Sequence, residues 1–507
     1  MAYGRPGVYI SERLLPAPIA VLGTANAAGA AIGAFAQGPT TVTRVTSWYD
    51  FVQTFGGYSA AFPATFGVGQ FFQNGGSELW VRRVLASDAA AATASLPRSG
   101  VGAAIGSVTA KNLGADGNNL RVQLTAANIS GYYNFYVYKE TAASSTDSSP
   151  DNDVLIEQYT NVVLNDTASS DYLPTVISLN STNVTVAITD NVTAPSTARI
   201  PLTGGTNGTA PVASDYVSAL SGFTTVDQPL VMFAPEIITV LGSSNGKTVH
   251  DAIVSWCGAN NGFAVLDTDD SLTVDAAINY AASLAATSYA AVYYPYVFIA
   301  DPLGRSSTSL RKIGPAGSIA GLFISTDKQY GPFKAPAGIR ANVRGALALE
   351  RSFTSAELDS LNTGIKSDNS VGKPVNALRN LPGAGVVSMG ARTLLQDGTA
   401  NRYVNMRRSL IYIRKNLNDL TQFALFENND ERLWSRIRTV LGVFLNDYRN
   451  QGGLRGTTQE EAFYVKCDAE NNPTESIADG EVHIEVGVAL QYPAEFVVIT
   501  LSQKTAN

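Results

Sequence analysis

The sequence predicts a multidomain chain of class α/β plus β: an α/β core split by an all-β insertion, an α+β C-terminal domain, and an extended arm at each end. Three observations lead there. At roughly 150 residues per domain, 507 residues provide for about three domains. Apolar strands alternate with helix-compatible stretches on both sides of a block of short strands rich in Thr, Ser, Asn and Val. Both ends lack a helical period.

Residues 1–20 read as an arm, because Pro6 and Gly7 lead into Val8, Tyr9 and Ile10. The core takes residues 21–98 and 223–340. Its first part offers helices at Trp48–Phe55 and Phe66–Asn74 and a strand at Glu78–Leu85. Its second part offers strands at Leu230–Ala234, Gly262–Leu266 and Tyr293–Ile299, with helices at Thr248–Cys257 and Val274–Ala286. That alternation predicts a mostly parallel sheet covered by helices. Residues 99–222 form the insertion, with strands at Asn119–Thr125, Tyr132–Lys139, Val154–Tyr159 and Asn183–Ile188. Four basic residues against ten acidic make it an outward, solvated module. Residues 341–490 form the C-terminal domain, and 491–507 the second arm, whose Phe496, Val497, Val498, Ile499 and Leu501 make a short apolar strand.

Composition narrows the function. Hydrophobic residues make up 45% and charged residues 15%, below the usual quarter or so of soluble domains, which suits a surface buried against other subunits. A net charge of −7 offers no general footprint for nucleic acid or an anionic membrane. Cys257, Cys467, His250 and His483 supply neither a disulfide framework nor a structural zinc framework, and fit a reducing cytosol. No signal peptide and no membrane anchor are expected.

Three groups were weighed for catalysis. Gly242-Ser243-Ser244-Asn245-Gly246-Lys247-Thr248 lies between a strand and a helix, like a phosphate-binding loop, but has three residues before its Gly-Lys-Thr where a Walker loop has four. It reads as a polar loop with a turn at Asn245-Gly246. His250 and Cys257 stand two turns apart on one helix, about 10.5 Å along its axis, out of reach of each other. His483 lies in a half-buried strand pattern. No catalytic, cofactor or metal residue is expected.

In Arg402–Phe426, Leu410, Ile413, Leu417, Leu420 and Ala424 share one helix side. Arg407, Arg408, Arg414, Lys415, Asn418 and Gln422 share another, giving a cationic stripe that is either solvated or docked on a negative partner. Asn428 with Glu431 predicts a capping box for the next helix.

Several motifs occur together: Pro6-Gly7-Val8-Tyr9-Ile10-Ser11-Glu12, Phe71-Phe72-Gln73-Asn74-Gly75-Gly76, Trp80-Val81-Arg82-Arg83-Val84, Tyr289 to Pro295, Lys334-Ala335-Pro336-Ala337-Gly338, Gly390-Ala391-Arg392-Thr393-Leu394, Val404-Asn405-Met406-Arg407-Arg408 and Pro493-Ala494-Glu495-Phe496. In this order they resemble the contractile tail sheath proteins of bacteriophages and phage-tail-like particles. Ile313 to Gly317 and Gly331-Pro332-Phe333 depart from the family pattern.

The resemblance implies a non-catalytic core of subtilisin-like fold, an inserted β-sandwich and a C-terminal domain at inner radius. It implies hexameric rings stacked helically round a tail tube, with baseplate and tail terminator proteins as further partners and no nucleic acid. The arms, at Val8, Tyr9, Ile10 and at Phe496, Val497, Val498, Ile499, Leu501, would add strands to neighbouring copies. Contraction would drive the tube through the host envelope, with the subunit assembled in the host cytoplasm and kept in the virion tail. Arg407, Arg408, Arg414 and Lys415 would face the tube. A headless injection particle is the nearest alternative, and a P-loop or serine hydrolase the distant one.

Overall fold

The computed structural model describes residues 27–495 apart from 100–103, 141–152, 190–195, 270–272, 307, 397 and 399. At its centre is an eight-stranded sheet. In spatial order the strands are Gly385–Ser388, Asn376–Leu381, Ala290–Tyr294, Phe263–Asp267, Leu230–Phe233, Ala28–Gly33, Leu79–Arg83 and Thr43–Val45. The six inner strands run parallel, and the strand at each edge is antiparallel.

Ala28–Gly33, Leu230–Phe233, Phe263–Asp267 and Ala290–Tyr294 are buried throughout, as expected of a parallel sheet covered on both faces. Strand alternation sorts their side chains. Ala30, Met232, Leu266 and Val292 pack with helices Ile237–Ala259 and Val274–Ser283. Ala31, Val231, Val265 and Tyr293 pack with helices Trp48–Phe55, Ala64–Gln73 and Ala316–Tyr330.

On that second face two helices meet backbone to backbone. A Cβ on Gly317 would stand 2.2 Å from the Gly67 carbonyl oxygen, and one on Gly321 would stand 2.3 Å from that of Phe71. Both obstacles are backbone. Gly317→Ala is therefore expected to cost about 1–3 kcal/mol, read as a lower denaturant midpoint; an unchanged midpoint would refute this close packing.

The insertion has two antiparallel sheets. One orders Ile200–Pro201, Leu120–Ala126, Tyr133–Glu140 and Asp153–Val162; the other orders Thr93–Leu96, Gly106–Ala110 and Val184–Ile188. They share one apolar core that includes Ala94, Val108, Val122, Phe135 and Val186. The edges differ from the expected 99–222. Thr93–Leu96 already pairs with Gly106–Ala110, while Tyr216, Ala219 and Leu220 pack into the central core.

Arg83, the last residue of its strand, ties the two parts together. Its guanidinium is buried and donates to the carbonyls of Phe35 (3.0 Å), Ala36 (3.0 Å) and Gly38 (2.8 Å) in the core. It also donates to Leu113 O (2.7 Å) and Asn207 Oδ1 (3.0 Å) in the insertion. Burial lowers its pKa to about 10, partly offset by Asp116, so it remains charged at neutral pH.

Three further expectations are corrected. The stretch Tyr293–Ile299 is not one strand: Ala290–Tyr294 lies in the central sheet, and Val297–Ala300 lies in a three-stranded sheet with Leu310–Ile313 and Ala346–Leu349. Pro295 has no N–H to continue a ladder. Residues 376–388 are part of the central sheet, through the parallel pairing of Tyr293 with Asn376, so a C-terminal unit does not begin at 341. The described part of the second compact unit is Tyr412–Gln491. Finally, Asp430 and not Asn428 caps helix Glu431–Asn450, accepting from Leu433 N at 3.0 Å.

The unit Tyr412–Gln491 packs Leu433, Trp434, Ile437 and Leu441 around Cys467. Its two-stranded sheet pairs Phe463–Lys466 with Glu485–Val488.

Candidate assembly surfaces

The residues expected to face a tube lie along helix Val404–Thr421. Arg408 is 3% exposed and does not belong to an open stripe. Its Nη1 donates to Asp327 Oδ1 at 2.8 Å, its Nη2 to Asp327 Oδ2, and its guanidinium lies 4.7 Å from the Phe323 ring centroid. Burial pushes the Asp327 carboxyl up, although Arg408 pulls it down. Arg407 is half-buried over the Tyr289 ring, 4.5 Å from its centroid. Burial lowers the pKa of Arg407. Farther along, Lys415 pairs with Asp419 at 2.6 Å, and Arg414 is exposed. Helical spacing placed four cations together; tertiary partners bury Arg408 and half-bury Arg407.

Val8, Tyr9, Ile10, Phe496, Val497, Val498, Ile499 and Leu501 lie outside the described residues. Glu495, which directly precedes the second expected arm strand, is described. Glu495 accepts from Arg392 Nε and Nη2, both at 2.7 Å, and from Tyr403 Oη at 3.3 Å. Arg392 also donates to Asn362 O at 2.9 Å. Burial pushes the Glu495 carboxyl up, but Arg392 and the hydrogen bonds outweigh it and hold it below the ordinary range. The sequence had marked Arg392 and Glu495 only as parts of two separate motifs; their pairing needed the fold.

The groups weighed for chemistry are occupied structurally. Gly242 sits at φ 77°, and the chain then re-enters helix, so Ser244 to Thr248 are helical and not the polar loop expected. Lys247 reaches Asp251 one turn on, at 2.5 Å. His250 is buried, and its Nδ1 lies 2.8 Å from Tyr280 Oη. Burial lowers its pKa to about 3 and pushes the Cys257 thiol up, away from nucleophilic use. His483 precedes the strand Glu485–Val488 instead of lying in one, and its Nε2 is 3.0 Å from Glu481. Among the described residues no cluster of His, Cys, Asp and Glu could hold a metal, and no helix is long and apolar enough to cross a membrane.

His250 gives a pH prediction. Between its unfolded value near 6.5 and its folded value of about 3, the unfolded chain binds a proton that the folded chain refuses. Stability therefore falls as pH drops through that window, by up to about 1.4 kcal/mol per pH unit. Denaturant midpoints measured across it should show a shallower decline for His250→Gln.

The comparisons with known proteins bear out the resemblance to tail sheath proteins. Residues 396–504 match the family described as the phage tail sheath C-terminal domain. The tail sheath protein of Vibrio phage KVP40 is 27% identical over 259 residues, which is 50% of this chain and 34% of that protein. The chain's matches thus span about a third of the length of its curated relatives. Among solved structures, the sheath tail protein from Listeria innocua aligns with TM-score 0.62 and 14% identity, over 92% of this chain and 96% of that one. The PVC sheath complex of an extracellular contractile injection system, in its contracted state, aligns with TM-score 0.57 and 21% identity, over 99% of both chains. Residues 396–504 thus match the phage tail sheath C-terminal domain, and the chain is similar in fold to these sheath structures over nearly its whole length.

Proposed function

We propose that the chain is a structural tail sheath subunit. Copies assemble as hexameric rings stacked helically round a tail tube, bounded by baseplate and tail terminator proteins. They contract to drive the tube through a host envelope. The observation that carries this reading is the extent of the match to the sheath C-terminal domain: at 396–504 it takes in the Glu495 anchor and the apolar sequence Phe496 to Leu501 that follows. In this reading the segment beyond that anchor lends backbone hydrogen bonds to another copy.

The sheet Phe463–Lys466/Glu485–Val488 supports the acceptor half. Among the described residues it has only two strands, so each has an outer edge for an arriving arm. The acidic insertion and the core, which we take as subtilisin-like, serve as scaffold, and no step requires an enzyme or cofactor. Assembly takes place in the host cytoplasm, and the product is the virion tail. Motion comes from rigid-body rearrangement of subunits into a lower-energy packing.

Negative-stain microscopy of the purified chain tests the proposal. Long hollow cylinders are expected; discrete monomers would overturn it. A headless injection particle is the second reading, favoured by the likeness to the PVC sheath complex of an extracellular contractile injection system. Neighbouring genes for a DNA-packaging head would exclude it.

A further inference from the structure

Two turns each present an exposed apolar side chain beside a charge of opposite sign to the other's. The first is Ala424–Glu427, in the connection ahead of helix Glu431–Asn450, closed by Glu427 N donating to Ala424 O at 3.3 Å. Leu425 has φ −65° and ψ 128°, and Phe426 has φ 64°. This is a type II turn with phenylalanine where glycine or asparagine is favoured. Leu425 is 63% exposed and Phe426 fully so. The subunit thus holds a benzyl group in water on a sterically disfavoured backbone, an arrangement that points to use outside the subunit. Residues 425–431 carry Glu427, Asp430 and Glu431 and no basic residue. Asp430 is engaged in the helix cap and Glu431 with Arg438 at 2.6 Å. Glu427 makes no ion pair among the described residues.

The second turn is Gly338–Ala341, closed by Ala341 N donating to Gly338 O at 2.9 Å. It is clamped to the edge strand Gly385–Ser388 by Gly338 N to Ser388 O (2.8 Å) and Ser388 N to Ala341 O (3.0 Å). The central residues are Ile339, 69% exposed, and the exposed Arg340. Arg340 Nη1 donates to Tyr330 Oη at 3.3 Å, and among the described residues Arg340 makes no ion pair with a carboxylate. Residues 328–349 carry Lys328, Lys334, Arg340 and Arg344 and no acid.

We infer that these turns are the two halves of a head-to-tail interface between copies of this chain. Leu425 and Phe426 of one copy pack on Ile339 of the next, and Glu427 pairs with Arg340. Because the two patches differ, the contact is heterologous and propagates into rings or helices instead of closing a dimer. The inference rests on the self-assembly proposed above and names a contact for it apart from the arms.

Charge reversal and cross-linking test it. Glu427→Arg or Arg340→Glu alone should raise the concentration needed for assembly by roughly tenfold, as should Phe426→Ser. Combining Glu427→Arg with Arg340→Glu in one chain should restore assembly to within about threefold of the parent. Separately, mixing Phe426→Cys and Ile339→Cys proteins under mild oxidation should give a disulfide-linked dimer that neither gives alone; Cys257 and Cys467 are buried. Absence of that dimer, or assembly indifferent to the single reversals, overturns the interface. Cross-linking without cylinders would keep the interface and sink the sheath reading; cylinders without cross-linking would do the reverse.

Discussion

Arg408→Ala is expected to lower the stability of the folded chain by about 3–5 kcal/mol, the usual result of removing one partner of a buried ion pair. Asp327 and Arg408 are 3% exposed each, and the guanidinium satisfies both carboxylate oxygens while lying against Phe323. Without it, Asp327 is left in an apolar setting and either stays charged without a counterion or takes up a proton. Asp327→Leu combined with Arg408→Met should lose much less than the two single substitutions summed, because no charge is then stranded. Denaturant unfolding of the four proteins measures this. A loss below about 1 kcal/mol for Arg408→Ala would mean that the pair is open to water.

Deleting residues 496–507 should leave folding nearly unchanged and abolish cylinders. The cut falls after Glu495, so the bonds of Arg392 and Tyr403 to that carboxylate survive. What is removed is the segment beginning Phe496-Val497-Val498-Ile499, with the backbone groups that would pair across copies. The expected combination is an unfolding midpoint like that of the parent with no polymer in micrographs. Cylinders of normal length from the truncated chain would refute strand donation by this arm. Glu495→Gln should have a milder effect, weakening the anchor while leaving residues 496–507 in place.

Much of the core was legible because it follows from local chemistry. Ser47 accepts from Asp50 N at 3.1 Å ahead of Trp48–Phe55, and the spacing of Phe51 and Phe55 gives that helix its buried side. Runs such as Leu230–Phe233 and Phe263–Asp267 are too uniformly apolar for a half-solvated sheet, which announced burial on both faces. Other features depend on distant partners. Nothing near Arg408 in sequence signals Asp327, 81 residues away, and helical spacing alone put this cation on the polar side. Ser243 to Gly246 carry residues typical of a turn, yet only Gly242 leaves the helix, and the chain resumes beneath Ile238. The insertion's edge was misplaced because Thr93–Leu96 is defined by its pairing and not by a change in composition. The exposed Phe426 gave no warning, since its left-handed backbone comes from the turn and not from residue type.

The five acceptors gathered by Arg83 have a mechanical consequence. A module joined to its neighbour only through two chain crossings would swivel like a flag on a pole. Here a planar cation is bonded on both sides of the junction, so a force applied to the insertion would be passed through it to strand Leu79–Arg83. A fluorophore fused to the insertion would then keep a fixed orientation to the central sheet and report that sheet's tumbling.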